Sequence, residues 1–305
     1  MAFTAQDVKS LREMTGCGMM DCKKALQETD GDMDKAVEYL REKGLSKAAK
    51  KAGRIAAEGI VKSYINGGVG VVVEVNSETD FVAKNNDFQN FVSDVAKTIA
   101  DGAPADVEAL KAMTISGGSN TVGEALTEKI ATIGENMNIR RFARIDTDGV
   151  VVDYIHAAGK IGVLVEASAP DNDQVRECLR NVAMQIAALN PKYLSSADVS
   201  EEYKNHEKEI LMAQAKNDPK NASKPDNIIE KMITGRLAKE LKEVCLLEQE
   251  YVKATNKETV EQYVKQVSKE IGTDIVLKSF VRFETGEGIE KKQDDFADEV
   301  ASMIK

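Results

Sequence analysis

The chain has 305 residues, with 41 Lys and Arg against 51 Asp and Glu and a formal net charge of -10 at neutral pH. That length holds two or three cores of ordinary domain size, and the acidic balance works against nonspecific nucleic-acid binding, which draws its affinity from counterion release by cationic side chains. No apolar run approaches the length that spans a bilayer, the opening MAFTAQDVKSL lacks a basic flank before an apolar stretch, and four scattered cysteines (Cys17, Cys22, Cys178, Cys245) with two histidines (His156, His206) support neither a zinc site nor a disulfide framework. The expectations are buried thiols, a cytoplasmic location, no bound metal or cofactor, no membrane association and no direct nucleic-acid partner.

Thr4, with Asp7 three residues on, predicts the start of a first helix with Val8, Leu11 and Met14 on one face. After the break TGCG (residues 15–18), MMDCKKALQE predicts a second helix, and residues 32–43 a third with Met33, Val37 and Leu40 on one stripe. These make a small three-helix bundle. Lys47, Lys50, Lys51 and Arg54 then form a basic run, read as a solvated helical connector rather than a phosphate patch.

The centre holds a repeat. GIVKSYI (residues 59–65) matches GVVVDYI (149–155), and VGVVVEV (69–75) matches IGVLVEA (161–167), which predicts two hairpins from a duplicated unit. An amphipathic helix follows each hairpin, carrying Phe88, Phe91, Val92, Val95 and Ile99 in the first copy and Val175, Leu179, Val182, Ile186 and Leu189 in the second. Antiparallel strands with helices on one face are the expected packing. The first copy adds a helix over residues 122–133 and, through GENMNIRRFARI, a strand with Ile139, Phe142 and Ile145. The second copy is interrupted after Asn190 and Pro191 by two polar helical stretches, residues 198–216 and 226–242, flanking NDPKNASKP. That pattern predicts an antiparallel helical hairpin. Residues 258–271 read as a helix, DIVLKSFVRFE as a strand and residues 291–305 as a final short helix.

Chemistry-bearing motifs are scarce. GxxxxGK[ST] is absent, and GGVGVVV lacks the third glycine and following helix of a dinucleotide fingerprint, so its glycines read as a hairpin turn. Neither histidine lies beside a plausible nucleophile in sequence. A binding protein is therefore favoured over a small-molecule enzyme with a cleft between the repeats; a structural adaptor built on the bundle is a third class that the motifs do not separate from it.

LREMTGCGMMDCKKAL (residues 11–26) and EVNSETDFVAK (74–84) resemble, almost position for position, the two signature stretches of the bacterial elongation factor Ts family. GENMNIRR, HAAGKIGVLVEAS and RFETGEGIEK are also similar to that family, and the resemblance spans the chain, with departures at residues 192–224 and 245–257. It implies an α+β fold: a UBA-like bundle with basic connector (1–52), core subdomain N (53–140), core subdomain C (141–190 and 227–290), a helical-hairpin insertion (191–226) and a C-terminal helical module (291–305).

The resemblance further implies a nucleotide exchange factor, not an enzyme, whose partner is elongation factor Tu in its GDP-bound and nucleotide-free forms. In that family Thr79, Asp80, Phe81 and Val82 correspond to the turn that enters the partner near its Mg²⁺ and loosens the ion. Met19, Met20, Lys23, Ile133, Gly134, His156 and Val252 correspond to partner-binding positions. By residue type alone, several of them have a plainer reading. Phe81 reads as a satellite core residue, Met19 and Met20 as bundle core, His156 as a solvated turn residue, and Ile133 with Gly134 as a helix C-terminus. The insertion reads as a solvated hairpin, with self-association as the alternative that the resemblance offers.

Overall fold

A computed structural model of the chain describes residues 3–15, 17–218, 221 and 224–290; the helix expected over 291–305 lies outside the described residues. The first helix, α1 (Ala5–Thr15), begins as expected: the Thr4 amide and hydroxyl donate to Asp7 Oδ2 at 2.7 and 2.8 Å. With α2 (Met19–Glu28) and α3 (Met33–Lys51) it encloses Val8, Leu11, Cys22, Ala25, Leu26, Ala36 and Leu40. Met14, expected on the buried face, is 64% exposed, because this small core does not extend to the last turn of α1. The third helix also runs well past residue 43. Gly44 lies inside it, where a glycine weakens a helix by roughly 1 kcal/mol, but at Gly44 α3 lies against Ala131, and Lys51 Nζ donates to the Ile130 carbonyl at 3.4 Å. Tertiary contact carries the helix through the break.

Two antiparallel three-stranded sheets form the centre, in the orders β1 (Glu58–Asn66), β2 (Val69–Ser77), β3 (Met137–Asp146) and β4 (Val150–His156), β5 (Ile161–Ser168), β6 (Val276–Glu284). Between β2 and β3 lie α4 (Asp80–Ala83), α5 (Asn86–Gly102), α6 (Val107–Ala112) and α7 (Val122–Ile133). The six-residue α6, too short to show periodicity, was not anticipated. The second sheet has α8 (Asp173–Leu189) and α11 (Val260–Ile271) in the corresponding place, with α9 (Glu201–Asn217) and α10 (Asp226–Val244) between them. The arms α9 and α10 share a small core of Leu211, Ala215, Ile229 and Ile233. Leu189, expected on the apolar stripe of α8, is 45% exposed because it ends that helix, with Asn190 turning into the left-handed region.

The two sheets lie face to face. Val71, Val73 and Val75 point to α5, while Val61, Val72, Val151 and Leu164 form a separate buried layer between the sheets. The helices thus cover only the outer face of each sheet. This explains why VGVVV lacks polar alternation although its sheet is antiparallel: both faces are buried. Gly70 and Gly162, at matching places in the repeat, allow this approach, since a Cβ on Gly70 would lie 2.6 Å from Val151 Cγ2 and one on Gly162 2.3 Å from Val61 Cγ1.

Each sheet carries the same irregularity, a one-residue bulge that leaves Arg140 unpaired opposite Glu74/Val75 and Lys278 unpaired opposite Glu166/Ala167. In a regular strand Ile139 and Phe142 would face opposite ways; the bulge turns both toward the helical layer. Glu74, wholly buried at this bulge, accepts from Arg140 Nη1 at 3.1 Å, Arg141 Nε at 2.6 Å, Asn76 Nδ2 at 3.1 Å and the Gly286 amide at 2.8 Å. Burial alone would push its carboxyl up. The Gly286 amide, Asn76 and Arg141 together outweigh that and hold it below the usual carboxylate range.

Two stability measurements follow from this packing. Gly162→Ala forces a methyl group into Val61 and is expected to cost about 1–3 kcal/mol. Gly235→Ala, on an exposed turn of α10 with nothing near its Cβ, should instead stabilise by about 0.5–1 kcal/mol. An unchanged melting midpoint for Gly162→Ala would contradict the close approach of the sheets. Glu74→Gln is expected to lose about 3–5 kcal/mol at neutral pH, as when one partner of a buried pair is removed. Because the folded-state pKa is depressed, the wild-type contribution is complete above the unfolded pKa and is lost as pH falls through the folded one. Denaturant titrations should therefore show the gap between wild type and Glu74→Gln narrowing in acid; a gap constant with pH would mean that the carboxylate charge is not what matters.

Candidate docking surface

Strand β2 delivers the chain, at its C-terminal end, to a short turn fixed from several sides. The Thr79 amide donates to Glu135 Oε2 at 2.9 Å and its hydroxyl to Glu135 Oε1 at 2.6 Å, while the Ser77 hydroxyl donates to the Thr79 carbonyl at 3.0 Å. Next to it, the Glu78 carboxylate accepts from the Asn136 amide at 2.6 Å, and Asn136 Nδ2 reaches the Arg54 carbonyl at 2.7 Å. Glu135 and Asn136 are brought there by the end of α7. Gly134 takes φ +93°, a left-handed conformation that suits glycine, and turns the chain toward the end of β2.

Beyond Thr79 the one-turn helix α4 divides by burial. Val82 and Ala83 join the first core, whereas the Phe81 side chain stands 81% exposed. Asp80 accepts from Lys84 Nζ at 2.7 Å, and that ammonium, with Lys160 farther off, holds its carboxyl below the ordinary range. The satellite-core reading of Phe81 is thereby overturned: a side chain that the described residues leave this exposed contributes little to the fold.

The structure brings Ile133 and Gly134 to this turn through Glu135, with Ile133 half-buried against the first core. Met19, Met20 and Lys23 sit elsewhere, on α2 in the bundle. Met19 is 44% and Met20 74% exposed, so neither is the bundle core residue that residue type suggests, and Lys23 is exposed beside them. Exposed His156 ends β4, its Nδ1 3.0 Å from the Tyr154 hydroxyl, and the following Ala157, Ala158 and Gly159 all have positive φ. Left-handed conformation costs each alanine about 1–2 kcal/mol; here it is held by the Thr285 hydroxyl donating to the Gly159 carbonyl at 2.9 Å. Val252 is 48% exposed in the second half of the chain, its amide donating to Gln185 Oε1 of α8 at 2.8 Å.

Sequence reading missed Glu135 and Asn136 as supports. GENM marks them only as part of a motif, and nothing local says that a carboxylate just past a helix will meet residue 79. The seam between the repeats, where an enzyme would place its cleft, is filled by the Val61, Val72, Val151 and Leu164 layer. Among the described residues, no group of three or more His, Cys, Asp and Glu side chains is arranged to hold a metal ion, and no helix is long and apolar enough to cross a membrane.

A family model described as Elongation factor TS matches residues 78–287. Over its full length the chain is similar to the elongation factor Ts of Clostridioides difficile (strain 630), 55% identical with 99% of both chains covered. It is 53% identical to that of Syntrophotalea carbinolica, with 100% of both covered, and 53% identical to that of Clostridium perfringens (strain SM101), with 99% of both covered.

The exposure of Phe81 has a direct test in the free chain. Phe81→Ala is expected to change stability by no more than about 0.5 kcal/mol, as surface substitutions do, whereas Phe88→Ala in the first core should lose about 3–5 kcal/mol. Comparable losses of melting midpoint would show that Phe81 is packed in solution.

Proposed function

We propose, from the premise that the chain belongs to the elongation factor Ts family, that this translation elongation factor binds elongation factor Tu and promotes release of its GDP, so that GTP can rebind. The observation that carries the reading is the exposed Phe81 on a turn held before it by the hydrogen bonds of Glu78 and Thr79 and after it by the burial of Val82. A large aromatic held in water on a rigid support is what an interface anchor requires, since it loses little conformational freedom on docking.

The mechanism is linkage. A protein that binds the nucleotide-free GTPase more tightly than its GDP form weakens GDP by the same factor, about 1.4 kcal/mol for each tenfold. Mg²⁺ demands near-octahedral oxygen ligands at short distance, so a small displacement of the groups around it is enough to loosen both ion and nucleotide. Phe81 acts as the wedge and Asp80 as the charged disturbance. Thr79 and Val82 hold the two ends of the turn, Val82 through burial in the first core. Exposed Met19 and Met20, with Lys23, supply a soft docking face on the bundle. Ile133 and Gly134 support the turn, while His156 and Val252 offer further exposed contacts.

No covalent chemistry is assigned to this chain, and the filled seam between the repeats supports that. The division at residues 52, 140, 190, 226 and 290, the UBA-like character of the bundle and the cytoplasmic location belong to the same reading. Self-association would use the α9–α10 hairpin, where Ile210 and Ile228 are exposed.

Release of a fluorescent GDP analogue from elongation factor Tu, followed with and without this protein, tests the function. The protein is expected to accelerate release, and excess free Mg²⁺ to oppose it. Phe81→Ala removes a side chain whose burial is worth roughly 1.5–3 kcal/mol and so should weaken the nucleotide-free complex by about ten- to a hundredfold. Absence of acceleration by the wild-type chain would remove the proposal, and indifference to Mg²⁺ would remove its ion-displacing step.

A further inference from the structure

The 79–82 turn lacks the local device that usually begins a helix. Thr79 occupies the N-cap position of α4 with extended backbone, where a threonine oxygen ordinarily accepts from an amide two or three residues on; here no such bond is made. Its hydroxyl instead donates across the chain to Glu135, 56 residues away, and its amide donates to the other oxygen of the same carboxylate. A four-residue helix has too few internal hydrogen bonds to hold itself together. On its N-terminal side, the direction in which Phe81 leaves the protein is set by a tertiary clamp rather than by the residues of the turn.

We propose that Glu135 is the positioning residue of this turn: its carboxylate grips Thr79 at two points and presets the exposed Phe81 for docking. The inference rests on the proposed exchange function and names a residue through which that function is tuned. Two charge-assisted hydrogen bonds to one residue fix both its position and its rotation, as a single bond does not. The other supports have different jobs: Val82 buries the far end of the turn, and the Asp80–Lys84 pair, 47% and 73% exposed at its side chains, is open to solvent and screened. Removing the clamp lets the turn fray in the free protein, and that lost order must be restored on binding, so the change reads out in complex formation. Glu135 is half-buried and adjoins Gly134, so one carboxylate joins the end of α7 to the turn.

The test is a double-mutant cycle on accelerated GDP release and on affinity for nucleotide-free elongation factor Tu, using the full chain. Glu135→Ala is expected to reduce both on the order of tenfold, the effect of losing charged hydrogen bonds. Thr79→Val, which removes only the hydroxyl, should give a smaller loss, and that loss should vanish when Glu135 is already alanine. The decisive arm is Phe81→Ala with Glu135→Ala. A residue that acts by aiming Phe81 has nothing left to aim, so the double variant should be no worse than Phe81→Ala alone. A residue that merely supports the fold gives losses that multiply, and multiplied losses overturn the proposal. Full exchange by Glu135→Ala overturns it as well. If Glu135→Ala does not fold, the cycle is run with Thr79→Val and Phe81→Ala, to which the same outcomes apply. Failure of the exchange function shows separately, as inactivity of the wild-type chain.

Discussion

Glu74 is the point on which the rest of the architecture turns. A carboxylate taken out of water loses several kcal/mol of hydration and remains charged only when its oxygens are met by donors. Here the donors come from three separate parts of the chain: Asn76 on its own strand, Arg140 and Arg141 on β3, and the Gly286 amide just after β6. Arg141 continues to the Glu287 carboxylate at 3.0 Å and lies 4.3 Å over the Phe283 ring. One buried charge thereby locks the register of β2 on β3 and ties the first sheet to the end of the second. Residues 78–81 continue directly from this strand, so the position of Phe81 inherits that rigidity.

The duplicated unit has kept its frame and divided its roles. Both copies retain the strand glycine that admits the opposite sheet, the bulge on the third strand and a glutamate opposite that bulge. Their polar partners differ. Glu74 faces two arginines and is wholly buried, whereas Glu166 is half-buried and accepts from the Ser279 hydroxyl at 2.7 Å. The exits differ too. Residues 169–172 lead from β5 straight to α8, but residues 78–85 of the first copy contain α4 and its exposed phenylalanine. The exposed aromatic is thus an elaboration of one copy, a few residues past the buried Glu74 of its strand.

Rigid support and an exposed apolar side chain belong together energetically. A flexible turn carrying phenylalanine would spend part of its binding free energy on becoming ordered, and a buried one would have nothing to offer. The exposed pair on α2 differs in kind: Met19 and Met20 are unbranched and adaptable, and they sit on a bundle with its own core, joined to α7 through α3 and the Arg41–Glu124 ion pair. On the proposed reading, a rigidly supported aromatic and a compliant methionine patch, both at the ends of well-packed elements, would divide the work of docking.

Sequence by itself determined what is local or repeated along the chain. The caps at Thr4, the stripes Phe88, Phe91, Val92, Val95, Ile99 and Val175, Leu179, Val182, Ile186, the paired hairpins and the lengths of most helices follow from periods of two and 3.6 residues and from turn chemistry. Long motifs determined family membership. Only the tertiary structure decided the remainder, because it depends on residues far apart meeting in space. Gly44 continues α3 rather than ending it because α7 lies alongside; the sheets bury their second faces against each other because Gly70 and Gly162 leave room; Ile139 and Phe142 share a side because Arg140 is bulged out. Phe81 faces water for the same reason: a pattern of apolar residues says which side chains gain from burial, and only the arrangement of neighbours says which of them find something to be buried against.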